Sequence, residues 1–375
     1  MIYNSFKGLE LSALGMGCMR FPCIEGDSKK IDIEATKQMV AYAIKNGVNY
    51  FDTAWMYHGG ESEPVIGEIL SEYPRESFYL ASKFPGFDVS ALERVEEIFE
   101  KQLERCRTEY FDFYLFHNVA EKNIDGYTDE KYGVFNYLME QKKRGRIKHL
   151  GFSTHGSLHT IKRFLDTYGK DLEFCQLQIN WLDWTFQKAR EKVELVSSYG
   201  IPVWVMEPVR GGAIATLAPE HESRLRALRP ETSVPEWAFR FVQSIPEVVV
   251  TLSGMSNFDQ LAQNIATFCE EKPLDERELG ELAAIADEMI AAKAVPCTAC
   301  RYCVDHCPMS LDIPELIKRY NESARAENGV INSSALDGID ADKYPSACIG
   351  CRSCEELCPQ GIAIADVMAD FAQRS

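Results

Sequence analysis

Eight of the thirteen cysteines in this 375-residue chain fall in two short stretches near its end, and their spacing constrains the fold more than any other feature. Cys297-Thr-Ala-Cys300-Arg-Tyr-Cys303-Val-Asp-His-Cys307-Pro308 and Cys348-Ile-Gly-Cys351-Arg-Ser-Cys354-Glu-Glu-Leu-Cys358-Pro359 are two full copies of C-x2-C-x2-C-x3-C-P. A loop of this form offers three thiolates to one [4Fe–4S] cubane, while its fourth cysteine, carried away at the proline, serves a neighbouring cubane. The crossing rule groups Cys297, Cys300, Cys303 and Cys358 at one cluster and Cys348, Cys351, Cys354 and Cys307 at the other. Zinc is the alternative, but structural zinc sites use paired C-x2-C knuckles rather than four cysteines at this spacing twice over. The remaining five, Cys18, Cys23, Cys106, Cys175 and Cys269, are scattered and read as small buried hydrophobes.

The chain is too long for one small core and suits a large α/β domain followed by a smaller unit. Apolar residues make up 46% and charged residues 26%, which excludes a disordered chain. A net charge of −17 with no concentrated basic face excludes a nucleic-acid partner. The first residues lack a basic stretch leading into an apolar one, and no apolar run is long enough to span a bilayer, so a cytoplasmic protein without a membrane partner is expected.

Up to about position 270, short β-rich runs alternate with longer amphipathic ones. Strands are predicted over 14–17, 49–52, 78–83, 111–116, 148–153, 174–178, 202–206 and 248–252. Helices are predicted over 32–45, 90–106, 131–143, 158–168 and 186–198, with Gly47, Gly145, Gly169 and Gly200 as C-caps. Eight strand–helix units suggest closure into a (β/α)8 TIM barrel. A helix over 275–292 follows, and a boundary at 294/295 separates a barrel (1–294) from a smaller, mostly helical module (295–375). In that module a helix should start at Asp312 and run to about 326, Gly329–Tyr344 should form no regular element, and 364–373 should form a terminal helix.

Catalytic groups of such barrels sit at the C-terminal strand ends. Asp52 and Tyr57 follow the second strand, Lys83 ends the third, and His117 follows the fourth. A tyrosine hydroxyl, with an unperturbed pKa of about 10, needs a neighbouring cation to stabilise its phenolate. Lys83 would supply the cation, Asp52 would hold it in place, and His117 would hydrogen-bond a substrate oxygen. Any one of them alone would read as packing or as a solvated ion pair; all four at three consecutive strand ends read as a site.

Over residues 1 to 290 the chain resembles the aldo-keto reductase family, and all four members of that family's tetrad have a match. The resemblance implies hydride transfer between NADP or NAD and a small carbonyl or alcohol substrate. It places Ser153 and Gln176 at the nicotinamide carboxamide, Glu207, Pro208, Arg210, Gly211 and Gly212 around the pyrophosphate, and Ser253, Gly254, Met255, Gln263 and Asn264 at the adenosine end. Thr154 replaces the family's usual asparagine, Met206 stands where an aromatic ring normally stacks on the nicotinamide, and Gly254 and Gln260 stand where a Lys and an Arg often pair with the 2′-phosphate. Trp55 and His58 flank Tyr57 and are the expected substrate-pocket residues; Trp181 and Trp184 are further aromatics near the mouth.

From Pro296 onward the chain resembles two-cluster ferredoxins, in the helical form built into larger redox enzymes. A nicotinamide moves two electrons as hydride whereas each cluster moves one. The expected function is an aldo-keto-reductase-type oxidoreductase whose clusters serve one-electron transfer to or from a partner protein. The alternatives are an electron-transfer protein whose barrel binds a flavin or docks a partner, and an iron–sulfur sensor. Clusters acting as structural staples would fit the same motifs.

Overall fold

The computed structural model describes residues 1–291, 295–304, 306–324 and 333–374. The chain divides into two compact units: Met1–Pro208 with Glu236–Leu274, and Val209–Pro235 with the chain from Asp275 onward.

The first unit is built on a closed barrel of eight parallel strands. In chain order, after a hairpin of β1 (Tyr3–Phe6) and β2 (Leu9–Ser12), these are β3 (Leu14–Gly17), β4 (Tyr50–Asp52), β5 (Tyr79–Phe84), β6 (Phe111–Val119), β7 (Ile147–Thr154), β8 (Cys175–Gln178), β9 (Val203–Met206) and β10 (Val248–Ser253). Each strand pairs with its chain neighbour, and β10 pairs with both β9 and β3, which closes the ring. All eight predicted strands are present, shifted by a residue or two at most except for the longer end of β6.

The hairpin was not expected from the sequence. Its two-residue turn, Lys7-Gly8, holds both residues at positive φ (49° and 85°), the geometry whose twist matches the flanking strands. Phe6 enters an aromatic cluster with Tyr50, Phe113, Phe174 and Trp204, all buried. Its ring lies 5.0 Å from Trp204 and 5.8 Å from Phe113. Packing of Phe6 and of fully buried Leu11, with hydrogen bonds from Asn4 Nδ2 to the Val249 carbonyl and from Ser12 N–H to Asn49 Oδ1, holds the hairpin in place, rather than β-propensity in Tyr-Asn-Ser-Phe.

Three helix expectations need correction. The single helix over 90–106 is two, Val89–Leu92 and Val95–Arg105, because Arg94 leaves helical geometry (φ −120°, ψ 25°) to start the second and pairs its guanidinium with Glu97. The helices predicted from 131 and 186 begin at Val134 and Ala189, after Gly133 and Lys188 at positive φ; a separate short turn covers Asp183–Phe186. Gly169 caps its helix without a left-handed φ (−56°); a Cβ there would stand 2.6 Å from the Leu165 carbonyl oxygen, so close approach is what requires glycine.

In the second unit, helices Pro219–Leu228 and Glu276–Ala291 are tied by Arg224 to Glu281 and Glu288 and by Arg229 to Glu278. Position 292 and residue 294 of the expected boundary lie outside the described residues. Helices Ile313–Ala324 and Ile364–Arg374 pack through Leu316, Ile317, Met368 and Phe371. The first was expected to reach 326, and 325–326 lie outside the described residues. Gly329–Tyr344 was expected to lack regular structure; 329–332 lie outside the described residues, and the remainder contains short 3-10 turns at Ser333–Leu336 and Ala341–Lys343.

Candidate functional site

Two adjacent barrel strands, β4 with the turn that follows it and β5, bring Asp52, Tyr57 and Lys83 together, with Lys83 touching both of the others. Asp52 ends β4, in register with Ala81 of β5, so Lys83 stands beside it two residues further along. Lys83 Nζ donates to Asp52 Oδ1 at 2.6 Å, to the Thr53 carbonyl at 2.8 Å and to the Tyr57 hydroxyl at 3.2 Å. An ammonium has three donors, and all three are used. Because the Tyr57 oxygen accepts from Lys83, the phenol proton points elsewhere. Tyr57 and His117 meet edge-on, ring centroids 6.0 Å apart.

Burial sets the protonation of this group. Lys83 and Asp52 are 1% and 3% exposed. Desolvation raises the Asp52 carboxyl, and the Lys83 charge opposes it. Burial, then the charges of Asp52, Cys18 and Glu207, push the Tyr57 phenol well above its ordinary value. Lys83 was expected to draw it down; in the free protein burial dominates and Tyr57 is a neutral acid. Burial and then Lys83 and His155 hold His117 well below the imidazole range, so it is neutral too.

The remaining strand ends place the expected cofactor residues as follows. Ser153 Oγ, on β7, accepts from the Asn118 backbone N–H at 2.8 Å. Gln176 is buried on β8. After β9, Asn180 Nδ2 donates to the Glu207 carbonyl at 3.1 Å, and buried Pro208 ends the first unit. After β10, Ser253 Oγ accepts from Asn264 Nδ2 at 3.1 Å, Met255 is buried, and Gln263 is exposed. Gly254 packs its backbone on the stem of Arg20, which a Cβ would approach to 3.1 Å. Gln260 folds back to accept from Ser256 N–H. Arg210, Gly211 and Gly212 belong to the second unit, all at positive φ, and the Arg210 guanidinium donates to the Pro296 carbonyl at 3.3 Å.

Within the second unit the eight motif cysteines line two separate cavities. One is bordered by Cys297, Cys300, Cys303 and Cys358; the other by Cys307, Cys348, Cys351 and Cys354. The fourth cysteine of each motif thus stands in the other motif's cavity. Both are otherwise walled largely by apolar side chains, including Ile313 and Ile364. Ala299, Arg301, Gly350 and Arg352 at positive φ curl the loops, and the Ala299 N–H points at Cys297 Sγ, 3.4 Å away.

The aldo/keto reductase family model matches residues 13–287, and a 4Fe-4S dicluster domain model matches 296–363. The chain belongs to the aldo/keto reductase family. Probable aldo-keto reductase 1 of Glycine max is 27% identical over 319 residues, covering 75% of this chain and 88% of that protein. L-galactose dehydrogenase of Arabidopsis thaliana is 27% identical over 306 residues, covering 75% and 92%. Among solved structures, an aldo/keto reductase from Klebsiella pneumoniae in complex with NADP and acetate aligns with a TM-score of 0.59 at 18% identity, over 75% of this chain and 93% of that one, a likeness of fold. No helix among the described residues is long and apolar enough to cross a membrane.

In this aldo/keto reductase four buried polar atoms on the barrel rim lack hydrogen-bond partners among the described residues: Asp52 Oδ2, His117 Nδ1, Asn118 Oδ1 and Gln176 Oε1. Gln176 draws the Asp52 carboxyl down, yet its approach falls short of a hydrogen bond. Buried polar atoms are nearly always paired, so four orphans on one rim fit a polar guest. Ser153, Asn118 and Gln176 together offer the donors and acceptors that a carboxamide needs. Asn118 was not singled out beforehand, although it directly follows His117. Thr154 does not join this set: its hydroxyl donates to the Val119 carbonyl at 2.6 Å and accepts from Gly156 N–H.

The cysteine sets likewise fit iron–sulfur clusters. Among the described residues no group of three or more His, Cys, Asp or Glu could hold a single metal ion. Burial first, then its neighbouring thiols, pushes Cys303 far up, and burial pushes Cys354 up to about 11. Such thiols stay protonated at neutral pH unless a metal displaces the proton.

The expected pocket residues have other tasks. His58 accepts from Phe21 N–H at Nε2 (3.0 Å), and its Nδ1 donates to the Ser28 carbonyl (2.6 Å); its ring stacks on Phe21. Both ring nitrogens are thus engaged, which anchors the Tyr57 turn. Trp55 lies under the Arg105 guanidinium, 3.9 Å from its ring centroid. Trp181 is buried, and Trp184 packs edge-on against Phe241. Sequence reasoning also missed Glu63, fully buried, which accepts from Ser82 Oγ at 2.7 Å; Gln102 bridges Ser82 to the Lys83 carbonyl and so braces the lysine's strand from outside the barrel.

Proposed function

We propose that this protein is an NAD(P)-dependent carbonyl reductase or alcohol dehydrogenase carrying two [4Fe–4S] clusters, with Asp52, Tyr57, Lys83 and His117 as its catalytic residues. The observation that carries the reading is the Lys83 ammonium, bonded at once to the Asp52 carboxylate and the Tyr57 hydroxyl at the barrel rim. Bound nicotinamide supplies hydride to the carbonyl carbon. His117, neutral, donates a hydrogen bond to the carbonyl oxygen and aligns it. Tyr57 gives its proton to that oxygen as negative charge grows there, and Lys83, 3.2 Å away, stabilises the phenolate left behind. Ser153, Asn118 and Gln176 hold the nicotinamide carboxamide; Ser253 and Asn264 lie toward the adenosine end. NADP, as held by the Klebsiella pneumoniae protein, and NAD are both admitted, since Gly254 and Gln260 offer no charge to a 2′-phosphate.

The functional division falls at 294/295, between the two family matches. Cys297, Cys300, Cys303 and Cys358 ligate one cluster and Cys348, Cys351, Cys354 and Cys307 the other, giving a short path for single electrons to a cytoplasmic partner protein. Cys358→Ala is expected to lower bound iron from about eight to about four atoms per chain. Electron paramagnetic resonance of the reduced variant should then show one isolated cluster, and full iron retention would refute the assignment.

Anaerobically purified protein is expected to oxidise NADPH or NADH only when an aldehyde or ketone is added, one alcohol forming per nucleotide consumed. A flavin in the purified protein, or cluster bleaching by NAD(P)H with no carbonyl consumed, would instead favour a flavin-linked electron-transfer role. The used-up Thr154 hydroxyl is the observation on that side.

A further inference from the structure

A buried polar relay outside the tetrad ends at the same rim. Asp183, fully buried, accepts from Gln178 Nε2 at 2.7 Å and from Asn180 Nδ2 at 2.8 Å. A carboxylate only accepts, so it fixes the Gln178 amide with its oxygen turned the other way. That oxygen lies 3.0 Å from His155 Nδ1. The proton of His155 is therefore on Nδ1, and Nε2 carries a bare lone pair with no partner among the described residues. Burial, with the nearby Lys192 charge, pushes His155 down to about 4, so the ring is neutral at physiological pH.

The position of His155 connects it to the reacting centre. Val119 of β6 pairs with Thr154 of β7. His155 is thus one residue beyond that rung and His117 two before it, on adjacent strand ends, close enough for His155 to shift the His117 titration. His155 is only half-buried. Asp183 and Gln178, with Asn180 bracing the carboxylate, fix the tautomer of a ring whose Nε2 has no hydrogen-bond partner among the described residues and whose residue stands at the strand end next to that of His117.

We propose that His155 is a specificity-determining residue whose Nε2 accepts a hydrogen bond from a substrate hydroxyl, so that the preferred substrates are hydroxylated carbonyls or polyols rather than plain alkyl aldehydes. A bare lone pair repels an anion, and Lys192 disfavours an ammonium, which leaves a neutral hydroxyl as the matching donor. This inference rests on the reductase reading above.

The test is the ratio of kcat/KM for D,L-glyceraldehyde to that for propanal, measured on the full holoprotein. His155→Leu is expected to lower the ratio about tenfold, and His155→Gln, which still offers an acceptor oxygen, to retain most of it. Aldehyde hydration cancels because the comparison is between proteins. An unchanged ratio in His155→Leu, or equal losses in both variants, would overturn the proposal. Should the wild-type protein reduce neither aldehyde, the reductase reading fails separately, and binding decides the hydroxyl site. Glycerol titrated into 15N-histidine-labelled protein is expected to give a saturable shift of one Nε2 resonance that His155→Leu lacks, and absence of that shift would overturn the site.

Discussion

Replacing Tyr57 with phenylalanine is expected to lower kcat/KM for carbonyl reduction about a thousandfold, while bound iron stays at the wild-type level. The ring stays and only the oxygen goes, so packing against His117 is kept. Lys83 loses one of three acceptors and keeps Asp52 and the Thr53 carbonyl. What disappears is the proton that compensates charge on the substrate oxygen. The pH profile of the wild-type protein is the companion measurement. His117 is held below the imidazole range and Tyr57 above the ordinary phenol value of 10, so neither changes charge in between. Reduction should therefore run flat from about pH 6 to about pH 10, without an inflection from imidazole. A rate limb between pH 6 and 8 that persists in Tyr57→Phe would show that another acid delivers the proton.

Lys83→Met should abolish turnover and also destabilise the barrel by about 3–5 kcal/mol. The volume is conserved, but Asp52 would be left buried with no counter-charge. Burial already raises its pKa, and the two largest opposing effects both come from Lys83. With them gone the carboxyl protonates and still lacks partners for its oxygens. The double variant Asp52→Leu/Lys83→Met removes the orphaned charge and should recover most of the lost stability without recovering activity. Denaturant midpoints followed by tryptophan fluorescence check this, since Trp204 is in the barrel core. A Lys83→Met protein as stable as wild type would mean that Asp52 finds another counter-charge.

The tetrad was legible because its parts are local. Asp52, Lys83 and His117 each lie within two residues of the C-terminal end of an apolar strand, and a barrel of parallel strands sends all such ends to one rim. The sorting of the motif cysteines into two cavities was legible for the same reason, since three of the four thiols at each cavity lie within one loop. Residues whose role depends on distant partners were not legible. His58 looked like a pocket wall because it adjoins Tyr57, whereas its partners Phe21 and Ser28 are some thirty residues away in the chain. The bond from the Arg210 guanidinium to the Pro296 carbonyl, across 86 residues of chain, was likewise not legible. The Lys7-Gly8 hairpin escaped notice because its anchors, Phe6 and Leu11, pack against residues distant in the chain.

The pattern of residues along the chain determined the eight barrel strands and their closure, the meeting of Asp52, Tyr57 and Lys83 at one rim, and the sorting of the thiols into two sets. Protonation was decided only in three dimensions. Whether Tyr57 is neutral, which nitrogen of His155 holds its proton and how far Asp52 is from ionising all depend on desolvation and on hydrogen bonds between strands far apart in the chain, and no local pattern of residues encodes either.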